Sequence, residues 1–230
     1  MSAIEMIPMV QPHDPQWPTT LPGPIETGAL VVIDVQAGFG DPALMGPDTT
    51  EEMKQDYAAA IDRCIELVDI ARAAGLRVIW VGGGAADQLE PWRSLFWLKG
   101  RDKDPAFDGF HLTDRNEYSG SFYRVRPAEG ETIIYKGRYS AFHGSNIDEV
   151  LKEAGITWII TCGLTTECCV GSTTWDAFQR GYRVVVAGDA AACYSRAVHE
   201  ATLNAMAHNV ALVVPVSELG RALPALVPVE

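Results

Sequence analysis

Three residue types able to do acyl-transfer chemistry stand at the ends of predicted strands in this 230-residue chain. Asp34 closes the apolar run 29–34, and Lys136 closes the run 132–136. The adjacent pair Cys168 and Cys169 follows the run 157–162, just past the turn that opens at Gly163. Taken singly, each has an ordinary explanation. An Asp after a buried strand caps a turn, a Lys there is solvated, and a cysteine at a helix start packs as a small apolar residue. Together they supply a base, a cation and a nucleophile. The helix predicted over 167–181 strengthens that reading. Its first N–H groups are unpaired and its N-terminal end is partly positive, which favours a thiolate and can hold an oxyanion.

The elements that must position these groups are legible from periodicity. Strands are predicted at 29–34, 76–81, 132–136, 157–162, 182–187 and 210–214. Helices are predicted at 50–75, 146–155, 167–181 and 196–208. In the first of these Met53, Tyr57, Ile61, Ile65 and Val68 recur at helical spacing, and Gly75 stops it. Such alternation implies parallel pairing with right-handed crossovers. The expected fold is a single three-layer α/β/α domain with a six-stranded, parallel, Rossmann-like sheet. Ligands then bind beyond the carboxyl ends of the strands, where the three reactive groups converge.

The domain is expected to span 28–230, preceded by an arm at 1–27. Six prolines in that arm, from Pro8 to Pro24, forbid helix and sheet interior. It is expected to pack on its own chain or on a neighbour, which points to a homo-oligomer, a dimer or tetramer. An irregular insertion at about 85–131, rich in aromatic residues, reads as functional. The formal charge of −12, from 18 basic and 30 acidic residues, disfavours nucleic acid and anionic membranes as partners. No apolar run approaches the ~20 residues that cross a bilayer. The N-terminus does not read as a secretory signal. The five cysteines contain no C-x-x-C pair, so reduced thiols, a cytoplasmic setting and no thiolate zinc site are expected. The segment Gly38-Phe39-Gly40 lacks the third glycine of a dinucleotide fingerprint.

Longer motifs make the reading specific. They are Val32-Ile33-Asp34-Val35-Gln36, Lys136-Gly137-Arg138-Tyr139-Ser140-Ala141-Phe142, and Gly163-Leu164-Thr165-Thr166-Glu167-Cys168-Cys169-Val170. Asp176-Ala177-Phe178 and the 181–186 segment follow. With these the chain resembles the isochorismatase-like cysteine hydrolases, which include nicotinamidases and N-carbamoyl and ureido amidohydrolases. The resemblance implies the isochorismatase-like fold and an Asp–Lys–Cys triad. Its Gly-x-x-Thr-x-x-Cys-Val pattern places the nucleophile at Cys169, with Asp34 as base and Lys136 beside both. It further implies a cis Leu164–Thr165 peptide and an oxyanion hole from the backbone N–H groups of Thr165 and Cys169.

Departures from the family pattern refine the expectation. Nicotinamidases carry a metal-binding Asp and two His after the second strand, whereas this chain reads Val81 through Asp87 and Gln88 without histidine. No metal and no other cofactor is therefore expected. Isochorismatases proper share the Arg138–His143 segment but lack the nucleophilic cysteine, so Cys169 argues against vinyl-ether hydrolysis. Glu167 and Cys168 replace the Asn or Asp and the apolar residue usual in relatives. The expected activity is cleavage of a small amide, ureido or carbamoyl C–N bond through a thioester, nearest the ureidoacrylate and biuret-type branch. The alternatives are a vinyl-ether hydrolase, a catalytically silent scaffold of the same fold, and a redox protein using Cys168 and Cys169. Phe39, Trp97, Tyr139 and His143 are candidate pocket residues, against plain packing for the aromatics and a solvated loop position for His143.

Overall fold

A strand covered on both faces has no need of polar alternation, and β1 (Gly28–Ile33) shows why its sequence is so apolar. All six of its residues are buried at the centre of the sheet. The computed structural model describes residues 21–46, 49–83 and 120–223. β1 is joined by β2 (Arg77–Gly83), β3 (Thr132–Lys136), β4 (Trp158–Leu164), β5 (Arg183–Ala192) and β6 (Ala211–Val214). All pairings are parallel, in the order β3-β2-β1-β4-β5-β6. The chain builds outward from β1 in one direction, then returns to build from β4 in the other. The reversal lies between β1 and β4, the point at which such sheets bind ligands.

Helices cover both faces. On one side lies α1 (Glu51–Ala73), whose first turn is fixed by the Met53 N–H donating to Thr50 Oγ1. It buries Tyr57, Ile61, Cys64, Leu67 and Val68 against Leu30, Val32, Trp80 and Ile160. On the other side lie α2 (Ile147–Glu153), α3 (Gly171–Gln179) and α4 (Arg196–Asn209). Ile147, Leu151, Ala177 and Met206 from these helices pack on Val31, Ile33, Ile79 and Ile159. A last helix, α5 (Val216–Ala222), joins the α1 side through Val216 and Leu219.

Three features depart from the sequence expectation. The strand expected at 182–187 runs on to Ala192, because its pairing with β4 shifts register between Thr161 and Gly163 and resumes with Leu164 opposite Ala192. The helix expected over 167–181 opens as a π-helical turn, Thr166–Val170, before α3 begins. α5 is not among the helices that the sequence pattern predicts.

Of the arm, residues 21–27 are described. They lie against the amino ends of β4 and β5. Trp158 Nε1 donates to Pro24 O at 2.9 Å, the Thr157 N–H to Thr27 O at 2.8 Å, and Arg183 to Pro22 O. Residues 1–20 of the arm and 84–119 of the insertion, with Asp87, Gln88 and Trp97, lie outside the described residues. Among those described, no helix is long and apolar enough to cross a membrane.

One polar cluster fixes the approach to β3 and so the height of Lys136. Glu131 accepts from Arg72 Nε at 2.8 Å, Trp80 Nε1 at 2.6 Å and the Ala128 N–H at 2.8 Å. Burial alone would raise the Glu131 pKa, but these donors hold it below the ordinary carboxylate range. Trp80 is fully buried and would be left with an unpaired indole N–H if the carboxylate were removed. Glu131→Ala is expected to lose ~1–3 kcal/mol of stability in urea unfolding at neutral pH. A depressed pKa stabilises the fold above the unfolded value and loses that effect as pH falls. The gap between wild type and variant should therefore narrow below about pH 4.

Candidate active site

The site begins where β1 and β4 run out together. Asp34 follows Ile33 directly, and its N–H donates to Val81 O at 2.8 Å. Its φ is +49°, a left-handed conformation that Asp tolerates better than most residues. Opposite Ile33 stands Gly163, with φ +117°. A Cβ there would fall 1.9 Å from Ile33 O, so only glycine lets the two strands close at this level. The Leu164–Thr165 peptide is cis, as the motif implied. Beyond it the π-helical turn is closed by the Val170 N–H donating to Thr165 O at 3.1 Å. Thr166, at the base of the turn, is tied to α4 through His199 Nδ1 at 2.8 Å. This turn sets Cys169 inward.

Lys136 arrives from β3, which is not a neighbour of β1. Its side chain crosses the end of β2 beside Gly83, its register partner. Nζ donates to Asp34 Oδ2 at 2.6 Å, to Cys169 Sγ at 3.3 Å and to Arg138 O at 3.1 Å. All three ammonium hydrogens are thereby used. The three side chains are enclosed: Asp34 is 0%, Lys136 4% and Cys169 7% exposed.

Electrostatics assign the resting protonation. Burial alone would lower the Lys136 pKa, but the Asp34 carboxylate and the Cys169 sulfur together outweigh it and the net shift is upward. For Cys169 burial and then the Asp34 charge push the thiol well above its ordinary value, and Lys136 opposes them only in part. Lys136 itself favours the thiolate, through its charge and its hydrogen bond. The contact is present, yet the ammonium is already committed to Asp34, and one buried cation does not balance two anions. This balance favours the neutral form of the Cys169 thiol. Among the described residues Asp34 Oδ1 is buried without a hydrogen-bond partner, which leaves a position on the carboxylate for a proton.

The neighbouring cysteine has different surroundings. Cys168 Sγ donates to Glu167 Oε1 at 3.3 Å, and Thr165 Oγ1 donates to the same oxygen at 2.9 Å. Burial, then the Glu167 charge, push the Cys168 thiol up to about 12. Cys193 is held at about 12 by burial and its own hydrogen bond to Glu167. Cys168 thus faces a carboxylate alone, and Cys169 is the one brought to both Asp34 and Lys136.

The pocket candidates are placed less uniformly. Tyr139 is half-buried and shares a hydrogen bond with the Cys168 thiol. Phe39 is half-buried against the core on the α1 side. His143 is exposed, with its backbone N–H donating to Ser140 O. Sequence reasoning assigned no role to Gln36, whose amide joins β1 to β2, or to Thr173, whose hydroxyl receives the Ala141 N–H at 3.0 Å. Each is a polar residue among buried neighbours, and that is the signal that marks them.

Known proteins share the sequence pattern and the fold of this chain. Residues 28–218 match the Isochorismatase domain model. The ureidoacrylate amidohydrolase RutB of Azorhizobium caulinodans is 31% identical over 188 residues, covering 76% of this chain and 81% of that protein. The protein of the same name from Serratia proteamaculans is 30% identical over 213 residues, covering 83% of each. Among solved structures, a cysteine hydrolase from Pseudomonas syringae pv. phaseolicola superposes with a TM-score of 0.72 at 25% identity, over 89% of this chain and 96% of that one. An N-carbamoylsarcosine amidase from Thermoplasma acidophilum shares the fold, with a TM-score of 0.61 at 23% identity, over 83% and 96%. A domain match over most of the chain, on this sheet, makes the protein a hydrolase of the isochorismatase family.

Proposed function

We propose that the protein is a metal-free cysteine amidohydrolase that cleaves a small amide or ureido C–N bond through a thioester. The observation that carries this reading is the Lys136 ammonium, hydrogen-bonded at once to the Asp34 carboxylate and the Cys169 thiol. Support for the ureido class comes from the relatives named ureidoacrylate amidohydrolase.

The proton balance closes with these groups. As Sγ attacks the substrate carbonyl carbon, its proton passes to Asp34, and the site keeps one anion beside one cation. The carbonyl electrons move to oxygen, which is held by the backbone N–H groups of Thr165 and Cys169. Asp34 then gives its proton to the departing nitrogen, the C–N bond breaks, and ammonia or an amine leaves. Water next attacks the thioester while Asp34 takes its proton. The acyl group departs as an acid and the thiol is restored. Lys136 stays charged throughout and keeps the reacting atoms in register.

A screen of small amides and ureas, scored by ammonia release, tests the reading, and activity that persists in chelator is expected. Cys169→Ala should lose at least about 10³-fold in turnover, since nothing else can form the acyl-enzyme. Cys168→Ala should stay within a few-fold of wild type and lose only about 1 kcal/mol of stability. The reverse pattern would move the nucleophile to Cys168.

The resting thiol gives a prediction that needs no substrate. A raised pKa leaves Cys169 protonated at about pH 8, where an unperturbed cysteine is already partly ionised. The ultraviolet thiolate absorbance of wild type should therefore match that of Cys169→Ala at this pH. A clear excess in wild type would mean a preformed thiolate–ammonium pair.

A further inference from the structure

Asp34 and Lys136 come from strands that do not touch, so something must hold the sheet edge at one spacing across the end of β2. Gln36 occupies that place. It is two residues beyond Asp34 and 1% exposed. Its Oε1 accepts the Gly83 N–H at 2.8 Å, and its Nε2 donates to Gly120 O at 2.5 Å. Only this orientation of the amide satisfies both partners. Gly83 is the register partner of Lys136 in the β2–β3 pairing. One side chain thus connects the strand that delivers the carboxylate to the residue opposite the ammonium.

The surroundings leave it little freedom. A Cβ on Gly82 would lie 3.1 Å from Gln36 Nε2, so the amide runs close over the bare end of β2. The backbone on either side of Gln36 is pinned as well. The Tyr123 N–H donates to Val35 O at 2.9 Å, and the Ala37 N–H donates to Ser121 O at 2.9 Å. Before it, the Asp34 N–H is bonded to Val81 O at 2.8 Å. The left-handed Asp34 therefore sits between two fixed points, with Gln36 as the second.

We propose that Gln36 is a positioning residue, whose amide bridge from Gly83 to Gly120 sets the spacing of Asp34 and Lys136. It touches neither substrate nor reacting atoms and acts through the backbone of β1 and β2. Both halves of the amide are required, one as acceptor and one as donor. The proposal rests on the amidohydrolase reading only in its turnover measurements.

Gln36→Met and Gln36→Glu test it. Gln36→Met should fold and lose about 10- to 100-fold in kcat. Iodoacetamide alkylation of Cys169, followed by mass spectrometry across pH, should show its midpoint moved down in this variant, as Asp34 no longer faces the thiol. A folded Gln36→Met with kcat within twofold of wild type and an unmoved midpoint would overturn the proposal. Gln36→Glu separates positioning from packing. As a carboxylate it can accept from Gly83 but repels Gly120 O. Protonated, it again has an acceptor and a donor. Its activity and its alkylation midpoint, each relative to wild type, should recover as pH falls from about 8 to about 5.5. A deficit independent of pH, or none at either pH, overturns the two-ended role, and this arm decides if Gln36→Met fails to fold. If wild type releases ammonia from no amide or urea, the proposed function fails, while alkylation still decides the case of Gln36.

Discussion

The Lys136 ammonium lies 2.6 Å from Asp34 Oδ2 and 3.3 Å from Cys169 Sγ, almost sealed from water. Placing ions there costs several kcal/mol each unless every charge is matched. One cation supports one anion. Asp34 and Cys169 are therefore not independent acids but two holders of a single negative charge. Moving a proton from sulfur to carboxylate leaves the total unchanged, which makes that transfer far cheaper than ionising the thiol to solvent.

Meeting that constraint dictates the backbone. The three groups come from β1, β3 and the turn after β4, so Lys136 must pass over β2. Glycine serves here as space more than as flexibility. Gly82 leaves room for the Gln36 amide, 3.1 Å from where its Cβ would stand, and Gly163 lets β4 approach Ile33 where a Cβ would meet the carbonyl at 1.9 Å. The Glu131 cluster under β3 and the Gln36 amide over β2 fix the two ends of the lysine's reach. The core beneath is generic apolar packing, and the specificity of the fold is concentrated in these few edge contacts.

How much of this was legible in the sequence follows from the range of each signal. Strands such as 132–136 are short apolar runs bounded by turns, a local signal, and that strand is found where periodicity places it. Parallel pairing follows from alternation and handedness, which are general, whereas the strand order β3-β2-β1-β4-β5-β6 depends on which strands meet and is seen only in the structure. The end of β5 was not legible, because its extension to Ala192 depends on a register shift against β4, a property of two strands together. The π-helical turn was hidden for a similar reason. Its residues look like the start of an ordinary helix, and the difference lies in backbone bonds that composition does not encode. Asp34, Lys136 and Cys169 could be named because motif spacing carries long-range information, whereas Gln36 shares the motif but needs the positions of Gly83 and Gly120 to acquire a role.

The contrast between Cys168 and Cys169 shows what decides a thiol's chemistry when chain position does not. They are adjacent, both shielded, and burial raises the pKa of both. A raised pKa by itself therefore says nothing about which one reacts. What differs is the cation. Cys169 has beside its carboxylate an ammonium to hold the charge that the sulfur would carry. The Cys168 thiol meets the Glu167 carboxylate, which also accepts from Thr165, and ionisation would set two negative charges side by side. The first arrangement lets a proton move from sulfur to carboxylate with the charge still matched, and the second does not. The π-helical turn is the element that separates them, since it rotates one sulfur to the Lys136 side and leaves the other against Glu167.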